Sequence, residues 1–183
     1  MKSSPLVVNE KKKLIKSNLY LELGAGKGDF IYKLAEANPN NYYVAVEKQS
    51  DIIYRILQKQ EEHTLDNLSL LNMDVIEILD YFLPHTINTI YINFPDPWHK
   101  VRHHKRRLTY PSFLKMYKLL LIDCGKILIR TDHKDFFNDS LGYLESESFK
   151  VTYSENAKEI FNMSEYEMKK RPYGQIYSIE ASL

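Results

Sequence analysis

Short apolar segments alternate with helical patterns along most of this chain of 183 residues. The apolar segments are rich in β-branched and aromatic residues, which favour strands. Strands separated by helices pair in parallel, because a parallel connection needs a crossover. The alternation therefore predicts an α/β fold: a doubly wound, mostly parallel seven-stranded sheet with helices on both faces and an antiparallel C-terminal edge. The predicted strands are 19–23, 42–46, 68–71, 87–92, 126–130, 149–153 and 175–179.

Capping residues and prolines place the helices between these strands. Ser50 is a predicted N-cap, and Asp132 is predicted to cap a helix that runs to about residue 144. Pro111 suits the first turn of a helix over 111–122, because its missing N–H has no partner there in any case.

Length and composition indicate one domain, since 44% of the residues are apolar. We expect this domain over residues 18–183, preceded by a basic N-terminal arm over residues 1–17. The first residues lack the apolar core of a signal peptide, and no apolar run reaches the ~18 residues of a membrane span. We therefore expect a cytoplasmic protein without membrane contact. The single cysteine, Cys124, lies among aliphatic residues and is predicted to be buried.

A glycine-rich turn follows the first predicted strand. It has the pattern Glu22-x-Gly24-x-Gly26-x-Gly28, and glycines between a strand and a helix let the backbone approach a ligand closely. The dinucleotide pattern G-x-G-x-x-G would need glycine at position 29, which is Asp29. From spacing alone, a ligand-binding turn and a purely structural tight turn both remain open.

Acidic residues lie at or just beyond the C-terminal ends of three successive predicted strands: Glu22, Glu47 and Asp74. Parallel strands bring their carboxyl ends to one sheet edge, so we expect these side chains at one site. The carboxylate after the second strand is placed to accept the two hydroxyls of a ribose, and the one after the third to accept an adenine amino group. Glu22 would add negative potential toward a cationic ligand.

The fourth strand leads into the stiff sequence Pro95-Asp96-Pro97-Trp98 and then into a basic segment, residues 99–107. This segment holds five Lys or Arg and three His, whereas Lys and Arg exceed Asp and Glu by only one over the whole chain. The remainder of the chain is therefore net negative. Cations concentrated in this way predict contact with nucleic-acid phosphates, and Trp98 is expected either to stack on a base or to pack the loop.

The segment from Asn93 to Arg107 resembles the signature of bacterial tRNA (guanine-N7-)-methyltransferases, and the resemblance extends from Leu21 to the C-terminus. The glycine turn resembles motif I of class I S-adenosylmethionine-dependent methyltransferases. The resemblance implies a Rossmann-like class I methyltransferase fold, S-adenosyl-L-methionine as cofactor and tRNA as partner. It also implies methyl transfer to N7 of the guanine at position 46 in the variable loop. The sequence leaves the oligomeric state open between a monomer and a homodimer.

Matching the family's motifs residue by residue implies a set of site residues. Asp96 is the expected catalytic residue. The expected cofactor-binding residues are Glu22, Gly24, Gly26, Gly28, Glu47, Asp74 and Asp96. The expected substrate-binding residues are Lys100, Asp132, Ser164, Glu165, Tyr166 and Glu167. Further RNA contacts are expected from Trp98, Arg102, Lys105, Arg106 and Arg107. Some members have Lys at the position of Glu165, so the cation of that position is missing here.

The chemistry of guanine N7 suits these residues, because N7 has a free lone pair and no proton to remove. A fixed carboxylate such as Asp96 can orient the base and favour the positive charge that the purine gains. We expect no metal, since His99, His103 and His104 have no cysteine partner and are interleaved with cations.

Three alternatives stay open on the sequence. Asn93-Phe94-Pro95-Asp96 faintly resembles the Asn-Pro-Pro-Tyr loop of enzymes that methylate exocyclic amino groups, although here Asp96 separates the prolines. The other two are an RNA-binding module without catalysis and a nicotinamide-dependent dehydrogenase.

Overall fold

A computed structural model describes residues 13–183, so most of the predicted N-terminal arm, residues 1–12, lies outside the described part. Within residues 13–183, seven strands form one sheet in the order β3-β2-β1-β4-β5-β7-β6. Neighbouring strands are parallel except that β7 runs antiparallel to both β5 and β6. The predicted α/β class and antiparallel C-terminal edge are thus confirmed. The strands are β1 Leu19–Leu23, β2 Tyr42–Glu47, β3 Leu68–Asn72, β4 Ile87–Asn93, β5 Leu121–Thr131, β6 Lys150–Ser154 and β7 Tyr177–Ser182.

Six α-helices and three short 3₁₀ helices connect the strands of this described part. None of these helices is long and apolar enough to cross a bilayer. The α-helices are α1 Asp29–Ala37, α2 Ser50–Glu62, α3 Ile78–Tyr81, α4 Pro111–Leu120, α5 Lys134–Ser146 and α6 Glu165–Lys170. The 3₁₀ helices are Val75–Glu77, Val101–Arg106 and Arg171–Tyr173.

The core consists of two apolar clusters, one on each face of the sheet. Along β2, Val44 and Val46 belong to the cluster that packs against α3, α4 and α5. Tyr43 and Ala45 belong to the cluster that packs against α1 and α2. Since side chains alternate between the faces of a strand, this division confirms that helices cover both faces.

Several local predictions need correction. The N-caps of α2 and α5 are Gln49 and His133, and not Ser50 and Asp132. Cys124 is exposed, and not buried. Ile87 pairs with Leu121 but Thr89 pairs with Lys126, so β5 places four residues, 122–125, opposite Asn88 alone. Cys124 lies in this irregular stretch, away from the packed part of the strand.

The sheet order places a crevice beside β1. The chain runs outward from β1 to β2 and β3 and then returns to the other side of β1 with β4. In doubly wound sheets, ligands bind at such a reversal, at the carboxyl ends of the strands. Glu22 near the end of β1 and Asn93 at the end of β4 meet there, and Asn93 Nδ2 donates to Glu22 Oε1 at 2.8 Å.

Candidate active site

A cleft of about 310 Å³ opens at the carboxyl ends of β1 and β4. Its walls are the glycine turn, the end of β4 with Phe94, and the first turn of α6. The sequence prediction did not include Phe94, Lys27 or Lys169, which also line the cleft. Lys27 could have been predicted, because it lies between Gly26 and Gly28. Lys169 could not, because it lies on helix α6, which was not predicted. The expected site residues that line the cleft are Glu22, Gly24, Gly26, Gly28, Ser164, Glu165 and Tyr166.

The glycine turn depends on backbone conformations that favour glycine. Gly24, Gly26 and Gly28 have φ values of 71°, 54° and 73°. A Cβ on Gly28 would lie 2.7 to 3.0 Å from side-chain atoms of Ile56 on α2, so a larger residue would also displace that helix. A Cβ on Gly26 would meet no atom within 4 Å. The turn therefore leaves backbone accessible to a ligand on the side of the cleft.

Glu22 is a buried carboxyl with one unused oxygen. Its side chain is 2% exposed, and Oε2 has no hydrogen-bond partner within the described residues. Burial raises the pKa of Glu22 to about 8, against the lowering effect of the hydrogen bond from Asn93. The carboxyl is therefore largely protonated at neutral pH, and not the fixed negative charge that we expected. A cationic ligand group would give Oε2 its missing partner.

The other two predicted acids, Glu47 and Asp74, are not among the residues that line the cleft, although Glu47 contacts its glycine turn. Glu47 is buried and accepts from the Gly26 N–H through Oε2 and from the Gln49 N–H through Oε1, each at 3.0 Å. Asp74 accepts from the Ile76 N–H at 3.2 Å and from Lys48 Nζ at 2.6 Å. These contacts lower the pKa of Asp74 despite its partial burial. Both carboxylates keep lone pairs for further hydrogen bonds.

Asp96 is displayed on a stiff loop that continues from the cleft wall. Phe94 and Trp98, on either side of Pro95-Asp96-Pro97, have φ values of 48° and 45°, a region that non-glycine residues rarely adopt. The Phe94 N–H donates to the carbonyl of Arg130 at 2.7 Å. Asp96 is exposed and makes no hydrogen bond or ion pair with any of residues 13–183. Its carboxylate is free to contact a substrate.

The basic segment is more ordered than a solvated loop, because Val101–Arg106 form a 3₁₀ helix. The cations Lys100, Arg102, Lys105 and Arg106 are exposed. The guanidinium carbon of Arg106 lies 5.0 Å from the centre of the Trp98 ring, so Trp98 already has a cation on its ring. These four cations keep their expected role as candidate phosphate contacts.

Arg107 departs from the expected RNA-contacting role. It is 2% exposed, and its guanidinium lies inside the protein. Nη1 donates to Asp139 on α5 at 2.5 Å, and Nε donates to the carbonyl of Pro97 at 2.7 Å. A buried cation with these partners has no face for a phosphate, so this expectation is wrong.

Glu167 likewise does not face a substrate in the described structure. It is 1% exposed and forms ion pairs with Arg130, at 2.5 Å, and Arg171, at 2.6 Å. The expected substrate contact is therefore a buried acid that fastens α6 to β5, since its burial is compensated by two guanidinium groups.

The other C-terminal residues surround the cleft. Ser164 caps α6, and its Oγ accepts from the Glu167 N–H at 3.1 Å. The spacing Ser-x-x-Glu is a capping signal that could have predicted this helix. Tyr166 packs its ring 5.0 Å from that of Phe94 and donates its hydroxyl to Asp132 at 3.1 Å.

Glu165 is an acid at a position where some family members have Lys, and it forms ion pairs with two lysines. Its carboxylate contacts Lys27 of the glycine turn at 3.0 Å and Lys169 at 2.5 Å. Hydrogen bonds from Lys169 and then Lys27 lower the pKa of Glu165 to about 2. The pair joins α6 to the glycine turn across the cleft.

Comparison with known proteins identifies the family. Residues 16–177 match the model of a family described as "Putative methyltransferase". A tRNA (guanine-N(7)-)-methyltransferase from Brevibacillus brevis is 37% identical over 171 residues, which cover 90% of this chain and 80% of that protein. This chain belongs to the tRNA (guanine-N7-)-methyltransferase family. The family predicted from the Asn93–Arg107 segment is confirmed.

Relatives of the same name give shorter matches. The Lachnoclostridium phytofermentans protein is 45% identical over 67% of this chain and 58% of its own length. The Geobacillus protein is 42% identical over 74% of this chain and 61% of its own length.

Solved structures of other methyltransferases have the same fold. The 16S rRNA methyltransferase KamB has a TM-score of 0.68 at 15% identity, covering 91% of this chain and 88% of its own. An Aquifex aeolicus SAM-dependent methyltransferase has a TM-score of 0.63 at 15% identity, covering 91% and 82%. These two structures confirm the class I methyltransferase fold.

Proposed function

We propose that this protein transfers the methyl group of S-adenosyl-L-methionine to N7 of guanine in tRNA, at position 46 of the variable loop, giving 7-methylguanosine. The observation that carries the proposal is that Asp96, which has no partner among residues 13–183, lies on a stiff loop between the cleft wall and the exposed cations. The names of the relatives support the reaction and the tRNA substrate. We further propose that the enzyme acts in the cytoplasm, as a monomer or homodimer.

The residues of the cleft fit S-adenosylmethionine. The orphaned Oε2 of Glu22 suits a cationic group of the cofactor, and the open side of Gly26 leaves room for close approach to the backbone. Glu47 and Asp74 would supply acceptors for the ribose and the adenine amino group. When bound, this cofactor offers an electrophilic methyl group on a sulfonium, which the lone pair of N7 can take without any proton transfer.

The chain's own residues contribute position and charge. Asp96 would accept a hydrogen bond from the guanine edge and would favour the positive charge that the purine gains as N7 is methylated. The exposed cations Lys100, Arg102, Lys105 and Arg106 would hold the tRNA backbone and so set the distance between N7 and the methyl group. No general base is needed, because guanine N7 has a free lone pair and carries no proton.

Methyl transfer from labelled S-adenosylmethionine to unmodified tRNA, followed by nucleoside analysis, tests the proposal. We expect 7-methylguanosine, and strand scission at 7-methylguanosine should map it to position 46. The matched variant Asp96→Asn keeps the size of the side chain and should lose most of the product. A methylated amino group would overturn the assignment of the N7 atom. Tight tRNA binding without any transfer would overturn the enzymatic assignment.

A further inference from the structure

We propose that Arg107 is a positioning residue for the loop Pro95–Trp98, and that it does not contact tRNA phosphates. The inference rests on the proposed function, because it concerns the placement of Asp96. A run of cations such as Lys105-Arg106-Arg107 looks uniform in sequence. In the structure, Arg106 is exposed whereas Arg107 is 2% exposed, so neighbouring cations have separate roles.

The guanidinium of Arg107 uses all three of its nitrogens to join separate parts of the chain. Nε donates to the carbonyl of Pro97 at 2.7 Å, and Nη1 donates to Asp139 on α5 at 2.5 Å. Nη2 lies 2.9 Å from Nε2 of His104, which accepts its hydrogen bond. The ring of Phe136 lies beneath the group, 5.6 Å from the guanidinium carbon. Only the planar fork of arginine provides these three donor directions at once.

This hydrogen-bond set fixes one end of the loop that carries Asp96. At the other end, the Phe94 N–H donates to the carbonyl of Arg130. Asp96 lies between these two fixed points and has no partner of its own within residues 13–183. The positive φ values of Phe94 and Trp98 persist only where surrounding contacts impose them. The position of Asp96 therefore depends on the contact between Arg107 and Pro97.

Arg107 also differs from the exposed cations of the segment in that its charge is paired with a carboxylate. Asp139 forms an ion pair with Arg107, so the two groups nearly cancel each other's field. Arg102, five residues earlier in the same segment, is exposed and has no acidic partner within the described part of the chain. Arg102 is thus the matched control: a cation of the same segment, of the same type, that faces solvent.

Two independent readouts test the assignment in the full-length protein. Trp98 is the only tryptophan and lies at the end of the loop, so acrylamide quenching of its fluorescence reports loop order without requiring activity. We expect Arg107→Lys to increase the quenching and to lower kcat about 100-fold, the typical effect of a small misplacement in an active site. The affinity for tRNA and its dependence on salt should stay as in the wild type.

The control Arg102→Ala should give the opposite pattern. Quenching should be unchanged, whereas the slope of log affinity against log salt concentration should fall by about 0.7 to 0.9 for one lost phosphate contact. The milder Asp139→Asn keeps a hydrogen-bond acceptor and should move quenching and kcat in the same direction as Arg107→Lys. It also covers the case in which Arg107→Lys fails to fold.

The proposal is overturned if Arg107→Lys lowers the salt slope as Arg102→Ala does, or if neither Arg107→Lys nor Asp139→Asn changes the quenching of Trp98. If the wild type itself produces no 7-methylguanosine, the proposed function fails. The quenching and salt slopes still decide the placement of Arg107 in that case.

Discussion

Replacing Glu22 by Gln should remove the pH dependence of protein stability that arises from the buried carboxyl of Glu22. The pKa of Glu22 is about 8 in the folded chain, against an ordinary value of 4.5. Between these values the folded chain keeps a proton that the unfolded chain releases. The contribution of Glu22 to stability is therefore highest below pH 4.5, falls as the pH rises, and levels off above pH 8.

The magnitude follows from 1.36 kcal/mol for each unit of pKa difference. Between pH 5 and pH 8, the ionisation of Glu22 should lower the free energy of unfolding by about 3.5 kcal/mol, once partial titration at both ends is included. Gln has the same shape and cannot titrate. The stability of the wild type relative to Glu22→Gln should accordingly fall by about 3.5 kcal/mol over this range.

Urea unfolding of the cofactor-free protein at pH 5, 6, 7 and 8, followed by circular dichroism, measures this difference. Glu61→Gln, on the exposed side of α2, controls for the loss of one acidic group. A difference between wild type and Glu22→Gln that stays constant over the range would refute the reasoning, because it would mean that Glu22 is already ionised in the folded chain. Cofactor affinity should rise with pH up to about 8, because a cationic ligand favours the carboxylate.

Three further predictions concern the loop, the cleft and the glycine turn. Asp96→Ala should lower kcat by about 10²- to 10³-fold while tRNA affinity, measured by filter binding, stays within a factor of two or so. Glu165→Lys should weaken cofactor binding about two- to fivefold in calorimetry at low salt, and the added change Lys27→Glu should restore it; equal affinities for all three proteins would exclude a role of this pair. Gly28→Ala should destabilise the protein by about 1–3 kcal/mol in urea unfolding, because φ is positive and the new methyl group meets Ile56; an unchanged midpoint would contradict this.

The features that the sequence predicted well are those set by chain order. Alternating strands and helices fix a doubly wound sheet, and such a sheet brings the carboxyl ends of its parallel strands to one edge. The two prolines beside Asp96 predict a stiff loop whatever surrounds them. Neither inference needs to know which way any side chain faces.

The site roles that were predicted wrongly depend on the direction or the burial of a side chain. Arg107 looks like its neighbour in sequence, but residues three apart share one side of a 3₁₀ helix, so His104 and Arg107 both face α5. Glu167 is buried because Arg130, 37 positions away, lies opposite it. The shifted pKa of Glu22 depends on complete burial, which an acid near the end of a strand does not show in sequence.

Two of the three walls of the cleft, the end of β4 and helix α6, are both attached to Arg130 on β5. Its carbonyl accepts the N–H of Phe94, where the loop toward Asp96 begins. Its guanidinium pairs with the buried Glu167, and this pair fastens α6, whose Tyr166 packs against Phe94. The cleft wall formed by α6 and the loop that presents Asp96 therefore share one attachment to the sheet. A displacement of α6 would reach the Asp96 loop through both contacts, so the cofactor cleft and the placement of the substrate base are mechanically linked at Arg130.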